Sequence, residues 1–86
     1  METRMPRYFL NIEYENPNNL RDLEGAEFQD IDAALVEADK ALRELVSAVI
    51  SGDRMEAPTS IIILNEAGLR VGQVTTGDLI RKTFQI

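Results

Sequence analysis

The chemistry open to this chain belongs to its carboxylates. Between Asp22 and Asp32 the sequence reads DLEGAEFQDID, which gathers Asp22, Glu24, Glu27, Asp30 and Asp32 into one short stretch. Oxygen donors at that density suit a hard divalent cation, magnesium or calcium, and a metal-assisted hydrolase would hold it on Asp22, Glu24 and Asp30. A calcium loop sets acidic or amide ligands at alternate positions, follows them with glycine and closes on a distal bidentate glutamate. Asp22-Leu23-Glu24-Gly25 supplies only two such ligands before its glycine. Local duties account for the same groups more fully. Asp30 and Asp32 suit the amino end of a helix, where the macrodipole favours anions by about 0.3–1 kcal/mol. Glu24 and Glu27 suit a solvated strand edge. The expectation is acidity that caps and solvates, with no catalytic residue, no cofactor and no metal. Asp22, Glu24 and Asp30 are the candidates should a cation bind.

Other chemistries lack their residues. The chain has no histidine and no cysteine, so Ser-His, Cys-His and zinc arrangements have no ligands or bases within it. No GxGxxG or GxxxxGK[ST] loop is present to cradle a phosphate. A net charge of −6, with nine basic residues scattered along the chain, argues against a nucleic-acid or anionic-membrane surface. No aliphatic run exceeds Ile61 to Leu64 in length, far short of the ~20 residues of a membrane helix. METRMPRYFLN at the amino terminus lacks the apolar core of a secretion signal. A soluble, cytoplasmic, non-enzymatic protein is expected.

These residues must be positioned by few elements. Eighty-six residues make one domain, 1–86, and no disulfide can reinforce its core. RYFLNIEYE, Arg7 to Glu15, alternates as a strand does, with Tyr8, Leu10, Ile12 and Tyr14 on one face and Asn11, Glu13 and Glu15 on the other. Phe9 interrupts the polar face and implies that part of it is covered. ENPNN suits a turn. A second strand is expected over Leu20 to Leu23, resuming at Ala26 to Phe28, with Gly25 free to take positive φ in the bend between. Asp30 is placed to N-cap a helix. Its apolar stripe is Ile31, Leu35, Ala38, Leu42, Leu45 and Val49, widened by Ala34, Ala41, Val46 and Ile50, and Gly52 ends it. Small residues at 34, 38 and 41 would let its axis approach a sheet closely. Asp39–Arg43 and Lys40–Glu44 stand four apart, ready to pair.

SIIILNEAGLRVGQVTT then reads as a hairpin. Ile61 to Leu64, apolar on both faces, is typical of a central strand, and Gly68 suits a left-handed turn position. The tail, residues 77–86, is open between two forms. Thr76-Gly77-Asp78 could cap a short helix, whereas Ile80, Phe84 and Ile86 alternate as a strand would. Together the elements make an α+β fold of order ββαββ, one long helix packed on a small antiparallel sheet. The other sheet face is only partly polar. Phe9 and one side of the isoleucine run are left to the tail or to a second subunit, so a homodimer or an unidentified protein partner is expected.

Two resemblances add to this. MPRYFLNI from Met5, then Asp22, Glu24 and Gly25, an acidic cap and an alanine-rich helix resemble a family of short proteins from rhizobia and related alphaproteobacteria. Its members open with M-P-R-Y-F and carry no assigned activity. The resemblance implies a small ββαββ-like domain, with Met1 to Arg4 an extension and residues 1–5 loose. The second is to HicB-type antitoxins, which carry two strands, a D-L-P-G turn and a helix written T-x-x-E-A-x-x-N-A-x-x-A. Asp22-Leu23-Glu24-Gly25 matches the turn and Asp30 the cap, with Ala34, Ala38 and Ala41 at the matching offsets. Glu24 stands in place of the turn proline and Glu37 in place of the asparagine, and residues 77–86 contain no DNA-binding segment. That resemblance implies an inhibitor whose acidic surface covers a basic toxin.

Overall fold

The computed structural model describes residues 4–15 and 19–84. Strand β1 (Arg7–Glu13), the short β2 (Ala26–Glu27), helix α1 (Ile31–Ile50), β3 (Ser60–Leu64), β4 (Arg70–Thr75) and helix α2 (Thr76–Phe84) follow in order. All pairings are antiparallel, and the strands lie side by side as β2-β1-β3-β4. This is the α+β, ββαββ arrangement legible in the sequence, continued by α2.

The alternation of β1 works as its pattern requires. Tyr8, Leu10 and Ile12 pack on the core under α1, together with Ile61, Ile63 and Val74 of the neighbouring strands. Phe9, Asn11 and Glu13 therefore share the opposite, outer face with Ser60, Ile62 and Leu64, their partners in register. The central position of β3 explains its unbroken apolar run, since Ile61 and Ile63 are buried on one face and Ile62 on the other. β1 ends at Glu13, two residues earlier than expected. Tyr14 leaves the ladder, and its backbone N–H donates to Asn19 Oδ1 at 2.8 Å.

Helix α1 begins where its cap chemistry places it. Asp30 is extended, at φ −159° and ψ 179°, and its carboxylate accepts from Ala33 N–H at 2.9 Å. The helix ends at Gly52, whose φ of +87° is open to glycine at little cost. Gly52 N–H donates to the Val49 carbonyl and Asp53 N–H to the Ala48 carbonyl, the paired bonds of a Schellman motif. The buried line is Ala34, Ala38 and Leu42, flanked by Ile31, Leu35, Ala41 and Val46. It is displaced from the expected stripe: Leu45 and Val49 are half-buried outside this cluster, and Ile50 is 82% exposed. The reason is where the helix crosses the sheet. A Cβ on Gly72 of β4 would stand 3.3 Å from Leu35 and 3.6 Å from Ile31, so the first half of α1 lies close over that strand. Of the expected surface pairs, Arg43–Asp39 forms at 2.9 Å.

The tail resolves as a helix. Thr75, the last residue of β4, caps α2 by accepting from Asp78 N–H at 3.1 Å, so strand passes into helix without a loop. Thr76 fixes the junction, donating its hydroxyl to the Pro58 carbonyl and its N–H to the Thr59 carbonyl. Leu79 is buried in the core with Ala34, Ala38 and Leu42 while Ile80 is 47% exposed. Burial thus follows helical spacing and leaves the strand alternative without support at Ile80. Ile86, Met1 to Thr3 and the centre of the ENPNN turn lie outside the described residues. No helix among the described residues is long and apolar enough to cross a membrane.

Candidate functional site

The second strand is where the acidic turn acquires its role. Leu20 makes a single bridge with Ile12, exchanging both backbone hydrogen bonds at 2.9 Å. β2 then holds only two residues, not the longer stretches expected from Leu20 and Ala26. Between them the chain bulges from β1, leaving Leu10 N–H without a backbone partner. The Asp22 carboxylate takes its place: Oδ2 accepts from Leu10 N–H at 3.1 Å and Oδ1 from Gly25 N–H at 2.9 Å. Asp22 N–H in turn donates to Asn11 Oδ1 at 2.9 Å. One side chain bridges strand edge and turn, which needs an acceptor with two separate oxygens.

Gly25 lets this bulge lie close to β1. Its φ is +69°, and a Cβ there would come within 2.8 Å of the Phe9 ring and the Tyr8 carbonyl. Phe9, the apolar interruption of the polar face, is thus partly covered by a glycine of its own chain. The Arg7 guanidinium closes the turn on the Glu24 backbone carbonyl at 3.0 Å. Asp22 and Asp30 each hold backbone amides at different ends of the segment, and among the described residues no group of three or more acidic side chains is placed to hold a metal ion. The three cation candidates are not brought together.

A second feature lies on the outer face of the sheet. A shallow groove of about 390 Å³ runs across β1, β3 and β4, floored by Ile62 and Leu64. Asn11, Glu13 and Arg70 stand along it, and Asn19, Leu20 and Arg21 form its bank. The Asn11 and Asn19 side-chain oxygens both accept backbone N–H bonds, at 2.9 and 2.8 Å. A backbone amide can only donate, so these bonds fix the orientation of both amide groups and leave their NH2 groups as donors. The groove therefore offers amide and guanidinium donors over an apolar floor, with the Glu13 carboxylate among them. Sequence reasoning passed over it because Asn11, the segment from Asn19 to Arg21, and Arg70 lie far from one another along the chain. The available signal was an apolar Ile62 on the same strand face as Asn11.

A third concavity lies near the end of α1, between Tyr14, Leu20, Arg54 and Met55, where the Arg54 guanidinium donates to the Tyr14 hydroxyl at 2.9 Å. Tyr14, expected on the core face of β1, is instead a surface acceptor for the connector.

Residues 7–77 match the family described as Domain of unknown function (DUF6894), and the chain belongs to that family. No curated protein and no solved structure matches it.

Proposed function

We propose, with that family membership as the premise, that the chain is a non-enzymatic protein-interaction domain that self-associates as a dimer. One observation supports this above the rest: both helices pack on one side of the sheet, and the outer face, with a buried Ile62 and a half-buried Leu64 beneath its groove, carries no second layer of helix or strand among the described residues. A sheet with one face unlayered buries more apolar surface when a partner supplies the missing layer. The carboxylates at 22 and 30 serve the backbone, which favours a structural over a catalytic use. A cytoplasmic location, without nucleic-acid or membrane partners, accords with the acidic, cysteine-free composition. Light scattering after gel filtration tests the proposal. Mass rising from monomer toward dimer with concentration is expected, and a monomer throughout would remove self-association.

A second reading is an inhibitor of the HicB antitoxin kind, directed at a small basic protein. It is supported by the exposed carboxylates Asp32, Glu37 and Glu44 on the solvent side of α1, within a chain of net charge −6. Such a surface speeds encounter with a basic partner. A gene for a small basic protein beside this one is the expected context, and its consistent absence would count against the idea.

A further inference from the structure

We propose that two copies of this chain pair through the outer sheet face, about a two-fold axis at Ile62 that sets Glu13 of each copy against Arg70 of the other. This rests on the self-association reading and specifies its surface. In register, Glu13 stands opposite Ser60 at one end of β3, and Arg70 opposite Leu64 at the other. They are separated by roughly 13 Å along the strands and about 10 Å across them, by ordinary strand spacings. Neither forms an ion pair among the described residues. Ile62, the middle residue of β3, lies between them. A two-fold axis through it, perpendicular to the Glu13–Arg70 diagonal, superposes opposite charges at both corners, and the sheets cross at a steep angle, as in orthogonal sheet packing.

Charge selects this face over others. A chain of net charge −6 repels its own copies. The groove is locally different, holding one carboxylate against the guanidinium groups of Arg21 and Arg70. On the solvent side of α1, Arg43 is already paired with Asp39, and Asp32, Glu37 and Glu44 outnumber Lys40, so two copies would set mostly carboxylates against carboxylates. The outer edge of β4 is blunted by the register shift opposite Ile63/Leu64, a common defence of edge strands.

Analytical ultracentrifugation of the full chain tests the pairing, at concentrations from about 20 to 500 µM because a face this small falls at the weak end of specific interfaces. Glu13→Arg and Arg70→Glu each place two like-charged contacts in the homodimer, and each is expected to weaken dimerisation at least about tenfold. An equimolar mixture of the two opposes unlike charges at both corners and is expected to restore association to within about threefold of the wild type. The doubly exchanged chain, Glu13→Arg with Arg70→Glu, should dimerise like the wild type. Circular dichroism melts establish that each variant is folded. A wild type that dimerises regardless of these exchanges would overturn this surface while leaving self-association standing. A wild type that stays monomeric would overturn both.

Discussion

Asp22 shows how a residue chosen for possible chemistry can be consumed by architecture. Its two oxygens hold Leu10 and Gly25 amides, and its loss would leave a strand amide facing a gap in the ladder. Hydrogen bonds to a charged acceptor contribute about 1.5–3 kcal/mol. Asp22→Ala is therefore expected to cost about 2 kcal/mol in urea unfolding, and a change near zero would show that the carboxylate is not holding the turn. Two glycines separate backbone strain from crowding. Gly52 has φ +87° and nothing within 4 Å of a Cβ, so Gly52→Ala is expected to cost the left-handed penalty alone, about 1–2 kcal/mol. Gly25 has φ +69° and would drive a Cβ to 2.8 Å from the Tyr8 carbonyl, which cannot rotate away. Gly25→Ala should lower the melting temperature further than Gly52→Ala. Equal shifts would mean that the turn relaxes freely.

At the scale of elements, α1 is held by its ends and by a narrow line of small residues. Asp30→Ala removes the cap on Ala33 N–H and is expected to cost about 1 kcal/mol, with Asp30→Asn nearly neutral. Ala38 is fully buried against the sheet, so Ala38→Leu is expected to destabilise by about 1–3 kcal/mol through overpacking. Denaturant unfolding reads both; a tolerated leucine would imply a helix that stands off the sheet. Helix α2 attaches by less. Leu79 enters the core from it, whereas the Asp78–Arg81 pair at 3.2 Å is exposed and of small worth. Hydrogen exchange is expected to show α2 amides opening before those of β3, whose isoleucines are buried on both faces.

For the whole molecule, the charges divide unevenly between its surfaces. Acidic groups cap, clamp or face water, while the outer sheet face gathers Arg21 and Arg70 around an apolar floor. Because Asp22 and Asp30 already serve amides, millimolar magnesium or calcium is expected to leave the melting midpoint unchanged. A ligand bound only by the folded state must raise that midpoint, so a clear rise would revive the cation site.

Local patterns carried much of this structure. Strand β1 and α1 declare themselves because burial imposes periods of two and about 3.6 on residues adjacent in sequence. The cap at Asp30 and the left-handed glycines at 25, 52 and 68 depend on backbone chemistry within a few residues, so they too were legible. The brevity of β2 was not, because its missing ladder is supplied by Asp22, a side chain reaching across the strand edge. The tail's form hung on a cavity for Leu79 that exists only once α1 lies on β4. The donor groove needed β1, β3, β4 and the residues beside Leu20 brought together. What the chain determines alone is the set of contacts made along it. Those made across it, the identity of the outer face among them, wait on how strands and helices are layered, since only layering decides which side of a sheet is left to water.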